Sequence, residues 1–137
     1  MLNSLNSSGV EYLLVGGYAV IFHGYVRTTG DMDIWIAVNP DNAAKAEAAI
    51  RSLGFNLPWL KPELLLQRGS VLRIGQEPLR FDIINDIDGV TFAECFSRRV
   101  EAEIDGVKVN VISLSDLKAN KKASGRHKDL ADLDYLP

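Results

Sequence analysis

The pattern of apolar and polar positions predicts a small α/β (α+β) domain built on a mixed sheet. The run from Val10 to Val15 predicts a buried strand that Gly16-Gly17 breaks. Tyr18 to His23 supplies one or two helical turns, with Gly24 as the left-handed stop. A second strand is predicted from Asp31 to Val38. Asn39-Pro40 then has the chemistry of a helix N-cap followed by proline at the first helical position. That helix carries Ala43, Ala46, Ile50 and Leu53 on one face until Gly54 ends it. Pro58 to Gln67 fits one short helix, and Ser70 to Ile74 and Leu79 to Ile84 are predicted strands. Thr91 to Phe96 fits a helical turn with Phe92, Cys95 and Phe96 on one face. Val100 to Val111 divides into two alternating runs about Asp105-Gly106, a hairpin signal. Ser113-Leu114-Ser115-Asp116 fits a capping box. Gly125 interrupts the helix that follows, and a last helix carries Leu130, Leu133 and Leu136. Strands and helices in this order pack as one sheet flanked by helices.

Composition narrows the class. The 137 residues suit a single domain spanning 1–137, without internal repeat or linker. A hydrophobic fraction of 47% and a charged fraction of 24% are ordinary for a globular protein. The net charge of −3 argues against a broad polyanion-binding surface, while a local basic patch remains compatible with it. Cys95 is the single cysteine, so no intrachain disulfide forms and a reducing compartment is expected. Its apolar neighbours favour core packing over reactivity. Met1-Leu2-Asn3-Ser4 does not begin a secretory leader, and no apolar run approaches the ~20 residues of a membrane span. A cytoplasmic protein without a membrane partner is expected.

The candidate chemistry begins with Asp31 and Asp33. Strand residues two apart share a face, so these carboxylates project together with Trp35, while Met32, Ile34, Ile36 and Val38 point the other way. Two carboxylates about 5 Å apart repel by roughly 3 kcal/mol at an effective dielectric near 20. A half-buried pair therefore asks for a cation or a shared proton, and an all-oxygen site suits Mg²⁺ or Mn²⁺ better than zinc. Taken alone, the pair is equally compatible with a solvated strand start. Asp82 changes the balance, because Arg80-Phe81-Asp82-Ile83-Ile84 is an apolar strand in which a lone charge is costly. A third carboxylate on a neighbouring strand could complete a two-metal site. Asp86 and Asp88 are rivals for that place, although Asn85-Asp86-Ile87-Asp88-Gly89 has the composition of a solvated turn. Gly16 and Gly17, between strand and helix, would let backbone N–H groups approach a phosphate.

The runs Tyr12-Leu13-Leu14-Val15-Gly16-Gly17-Tyr18-Ala19-Val20, His23-Gly24, Arg27-Thr28-Thr29 and Asp31-Met32-Asp33-Ile34-Trp35 resemble the DNA polymerase beta-like nucleotidyltransferase superfamily. They are most similar to its small bacterial, toxin-associated (AbiEii-like) members. Ile112 to Asp116 and Asn120 to Leu130 resemble a second recurring segment of that group, so the likeness spans nearly the whole chain. It implies the nucleotidyltransferase fold and transfer of a nucleoside monophosphate from a nucleoside triphosphate, with release of pyrophosphate. The hydroxyl acceptor, whether RNA, protein or small molecule, is not specified by it. Asp31 and Asp33 would hold Mg²⁺ or Mn²⁺ on the triphosphate, and Asp82 would complete the metal site and help activate the hydroxyl. Gly16 and Gly17 would cradle the β- and γ-phosphates. Two departures stand out. Tyr18 occupies a position where many active members carry serine. The chain also lacks the additional C-terminal helical domain of larger relatives, so a second copy or a protein partner is expected to supply that wall. Both departures leave open a nucleotide-binding or regulatory module without transfer chemistry, and a place in a toxin–antitoxin pair.

Several supporting residues carry two readings each. Arg27, Thr28 and Thr29 could steady the phosphates or the loop, and Arg27 could equally pair with an aspartate. His23 suits a helix end. Lys118, Lys121, Lys122, Arg126 and Lys128 form the basic cluster, with Lys118, Lys121 and Lys122 on one helical face. Lys121 and Arg126 are its best candidates for phosphate contact, with Asp129 orienting Arg126. Trp35 could stack on a base or pack at the sheet.

Overall fold

The computed structural model describes residues 1–55, 57–76 and 79–137. The chain runs α1 (Leu2–Ser7), β1 (Tyr12–Val15), α2 (Gly16–Phe22), β2 (Asp31–Ile36) and α3 (Pro40–Ser52). A 3₁₀ turn at Pro62–Leu66 leads to β3 (Val71–Gln76), β4 (Leu79–Ile84) and α4 (Phe92–Ser97). The chain then forms β5 (Val100–Ile104), β6 (Val107–Val111), α5 (Leu114–Ser124) and α6 (His127–Tyr135).

Local chemistry sets several of these boundaries. Gly16 adopts φ 65°, which ends β1 and turns the chain directly into α2. The Asn39 side chain accepts the Asn42 N–H at the start of α3, with Pro40 at its first position. The buried Asn42 amide in turn bridges Glu11 and Ala37, holding α3 against the ends of β1 and β2. Asp105 and Gly106 both take positive φ in the two-residue turn between Ile104 and Val107. Ser113 accepts the Asp116 N–H to cap α5, and left-handed Gly125 ends it.

The six strands form one mixed sheet in the order β3-β4-β2-β1-β6-β5. β1 lies antiparallel to β2 and parallel to β6, and β2 lies parallel to β4. β3 and β5 close the two edges as antiparallel partners of β4 and β6. On one face Tyr12, Ile34, Ile36 and Ile83 pack under Ala43, Ala46 and Ile50 of α3 and Leu5 of α1. On the other, Leu13, Val15 and Trp35 meet Ala19 and Val20 of α2, Cys95 of α4, Leu117 of α5 and Leu136. Full burial of each large side chain contributes about 1.5–3 kcal/mol. The expected mixed sheet with flanking helices is therefore present. Among the described residues no helix is long and apolar enough to cross a membrane.

Three expectations need correction. β2 stops at Ile36, so Val38 lies outside the strand and is 45% exposed. Leu130 does not serve the core: it is 47% exposed, while Asp129 and Asp132 take the buried side of α6. Their burial is compensated by cations, so charge pairing outweighs hydrophobic periodicity in orienting this helix. Lys118, Lys121 and Lys122 do not form a shared solvated face, because Lys121 is buried whereas Lys122 is exposed.

Candidate active site

The register of three strands assembles the carboxylates. On β2, Asp33 lies opposite Val15 of β1 on one side and Asp82 of β4 on the other. Asp31 lies opposite Arg80, and Arg73 of β3 lies opposite Asp82. Since paired residues share a face, Asp31, Asp33, Asp82, Arg73 and Arg80 all project from the side that carries α2 and α5.

Two arginines engage two of the three carboxylates. Arg80 grips Asp31 through Nε–Oδ1 at 2.7 Å and Nη2–Oδ2 at 3.2 Å. Arg73 grips Asp82 in the same forked manner, at 3.0 and 3.2 Å, and reaches Asp31 at 3.6 Å. The Arg80 hydrogen bond holds the Asp31 carboxyl below the usual carboxylate range. Asp33 has neither hydrogen bond nor ion pair among the described residues. Burial, reinforced by the charges of Asp82 and Asp31, pushes its carboxyl up to about 6.

Gly16 is packed against this carboxylate. A Cβ at Gly16 would fall within van der Waals contact of the Asp33 carboxyl group, and one at Gly17 would collide with Oγ1 of Thr29. The glycine pair is thus required by the protein's own packing, a constraint additional to any phosphate. Gly16→Ala combines this clash with a positive φ that costs an L-residue about 1–2 kcal/mol. We expect at least that loss of stability by thermal denaturation; an unchanged melting temperature would contradict the packing argument.

Beside Asp33 lies a cavity of about 310 Å³, lined by Gly16, Ile84, Asp86, Asp88, Asn120, Lys121 and Arg126 among others. Asp86 pairs with Arg68 at 3.0 Å, and the backbone carbonyl of Asp88 accepts from Asn120. The rival acids therefore line the cavity together with Asp33, whereas Asp82 faces Asp33 across the β2–β4 pair.

The basic residues divide into an internal and an external set. Lys121 Nζ lies 3.1 Å from Asp129 Oδ1 and 3.0 Å from Asp132 Oδ2, with only 5% of its side chain exposed. Arg27 forks onto Asp132 at 2.8 and 2.9 Å. Arg126 and Ser124 hydrogen-bond Asp129 from the other side. Burial alone would raise both aspartates, yet the bonds from Arg126, Ser124 and Lys121 hold Asp129 well below the usual range, and those from Arg27 and Lys121 lower Asp132. Arg27 and Lys121, expected at the phosphates, thus neutralise buried acids and tie the loop before β2 to α5 and α6. Arg126 stays largely exposed on the cavity wall, and the charge of the exposed Lys128 adds to the lowering of Asp31 and partly opposes the rise of Asp33.

The remaining candidates are structural. Trp35 is 1% exposed and packs edge-on against Phe92, which leaves no ring face for a base. His23 Nε2 lies 2.7 Å from the Ile112 carbonyl. Tyr18 lines an apolar groove with Leu14, Ile21 and Met32. Burial, with Asp116 nearby, pushes the Cys95 thiol up to about 12, consistent with an inert core residue.

The donor set matches a hard divalent cation in kind: three carboxylates, all oxygen, on two adjacent strands. Among the described residues, no three such side chains converge as metal ligands in this arrangement. Asp31 and Asp82 face their arginines instead.

Arg73 and Asp132 were not singled out from the sequence. Arg73 alternates with the buried Leu72 and Ile74, which places it on the polar face of β3, but its pairing with Asp82 depends on register. The spacing of Asp129 and Asp132, three apart on one helix, was the available signal for the second.

A family model described as "Nucleotidyl transferase of unknown function (DUF2204)" matches residues 1–136. No curated protein matches the chain. The fold is similar to that of a candidate nucleotidyltransferase from Thermotoga maritima, with TM-score 0.64 and 15% identity over 97% of this chain and 85% of that one. It is also similar to ANT(2″)-Ia, solved in complex with adenylyl-2″-tobramycin, with TM-score 0.59, 18% identity and coverage of 97% and 81%. An antigenic nucleotidyltransferase-like protein from Paracoccidioides brasiliensis gives TM-score 0.57, 17% identity and coverage of 97% and 70%.

Proposed function

Because the chain belongs to the nucleotidyl transferase family whose model matches residues 1–136, we propose that it moves a nucleoside monophosphate from a nucleoside triphosphate to a hydroxyl acceptor with a divalent cation as cofactor. The observation that carries this reading is the placement of Asp33 directly opposite Asp82 on parallel strands, with Gly16 packed on Asp33. Mg²⁺ or Mn²⁺ held by Asp31, Asp33 and Asp82 would supply neutralisation of the charge that develops on the phosphoryl oxygens. Asp82 holds the acceptor hydroxyl and takes its proton as oxygen bonds to the α-phosphorus and the bond to pyrophosphate breaks. Backbone N–H groups at the start of α2, which no side chain caps, are the donors offered to the β- and γ-phosphates. Arg126 lies on the cavity wall as the guanidinium available to the triphosphate, and Thr29 braces the glycine turn. Catalysis on this scheme is mainly positioning and charge neutralisation.

A second reading, nucleotide binding without transfer, is favoured by one observation: the residue after Gly17 is Tyr18, whose ring lies in an apolar groove, so that position offers no small hydroxyl to phosphate. Pyrophosphate release with each of the four NTPs, Mg²⁺ or Mn²⁺, and RNA or protein acceptors separates the two. Release that Asp82→Asn abolishes is the expected result. Cation-dependent NTP binding without release would establish the second reading, and absence of NTP binding to the folded protein would overturn both.

A further inference from the structure

The guanidinium on Asp82 stands in the way of a cation. Arg73 contacts both oxygens of that carboxylate and reaches Asp31 as well, so one side chain bridges two of the three acids. Direct coordination of a divalent ion to those oxygens would bring like charges together at close range.

The two arginines are not equally placed to yield. Arg73 sits on the edge strand β3 with 56% of its side chain exposed, whereas the Arg80 side chain is 27% exposed. Asp82, with 10% exposure, is the fixed partner. We propose that Arg73 is the resident counter-ion of the carboxylate cluster and leaves Asp82 when a divalent cation binds, so that arginine and metal hold the site in turn. Released at the sheet edge, Arg73 finds a replacement partner in the polyanionic triphosphate, so that cation and nucleotide bind most readily together. This rests on the reading of the three aspartates as metal ligands.

The test is Mn²⁺ titration without nucleotide, by calorimetry and by quenching of the free-ion EPR signal. Wild type is compared with Arg73→Gln, Arg73→Lys, Asp33→Asn and the charge-matched control Arg51→Gln, which lies on α3 over the opposite face of the sheet. Arg73→Gln is expected to bind Mn²⁺ about tenfold more tightly than wild type, since it removes a unit charge beside the ligands. Arg73→Lys and Arg51→Gln are expected to stay near wild type. Equal affinity in wild type and Arg73→Gln, with binding still lost in Asp33→Asn, would overturn this proposal alone. Absence of any Asp33-dependent binding would overturn the metal reading and this proposal with it. Should Arg73→Gln fail to fold, the wild-type Arg73 Nε–H resonance provides the test in its place. It is expected to lose its exchange protection as Mg²⁺ saturates, and a resonance unmoved by Mg²⁺ would overturn the proposal.

Discussion

Replacing Lys121 with alanine is expected to destabilise the protein by about 3–5 kcal/mol, the range seen when one partner of a buried ion pair is removed. Asp129 and Asp132 are each 1% exposed, and the Lys121 ammonium lies between them at 3.1 and 3.0 Å. Arg126 and Arg27 would remain on the outer oxygens, so the loss falls on the centre of the cluster. The pH dependence follows from the depressed carboxyls of both aspartates. Groups of this kind give stability that is present above the unfolded value near 4 and is lost as pH falls through the lower folded value. Wild type should therefore weaken below about pH 4. The deficit of Lys121→Ala should shrink over the same interval, because a neutral carboxyl no longer requires the ammonium. Chemical denaturation at pH 7.5 and at about pH 2 measures both effects. A variant as stable as wild type that loses only nucleotide affinity would show that Lys121 serves phosphate and does little for the fold.

Asp33→Asn is expected to act in opposite directions on stability and on activity. In the metal-free protein the Asp33 carboxyl is raised to about 6 by burial and by the charges of Asp82 and Asp31. The folded state then holds a proton that the unfolded chain releases near pH 4, so stability falls as pH rises from about 4 to about 6 and stays lower above that. The interval corresponds to about 2–3 kcal/mol at ~1.4 kcal/mol per unit. Asparagine mimics the protonated acid, so the variant should be more stable than wild type by up to about 2 kcal/mol at pH 8, a rise of several degrees in Tm, with no difference at pH 4. Saturating Mn²⁺ should stabilise wild type and leave the variant unmoved. Transfer activity should drop about a thousandfold, equivalent to roughly 4 kcal/mol of transition-state stabilisation. If Asp33→Asn were less stable than wild type at pH 8 without metal, the raised carboxyl would be wrong. If activity survived, Asp33 would not belong to the site.

These two experiments probe the parts of the molecule that differ most in how far the sequence reveals them. The Asp31 and Asp33 pair was legible because strand parity is a local rule, and Gly16 because its positive φ in the strand-to-helix turn favours glycine, whereas the need for Gly17 comes from the contact with Thr29. The same locality made the Asn39-Pro40 cap, the Asp105-Gly106 turn and the Ser113 cap readable, since each is decided by chemistry within four residues. Asp82 was legible as a charge in an apolar strand, although not as the residue facing Asp33.

What tertiary structure decided is which charges meet. The alignment of Asp33 with Asp82 is set by parallel pairing of strands some fifty residues apart, and that of Arg73 with Asp82 by the register of the β3–β4 pair. Neither register is encoded by parity alone. Lys121 reads as one of three lysines on a helical face and a candidate for phosphate contact, and Leu130 as one of the apolar set with Leu133 and Leu136 on the last helix. Folding reverses both, because α6 brings Asp129 and Asp132 against α5 and Arg27 closes the cluster from the loop before β2. Hydrophobic periodicity reports the average tendency of a face to leave water. A charge buried with its counter-charges departs from that average, and its partners are fixed only once distant segments have packed.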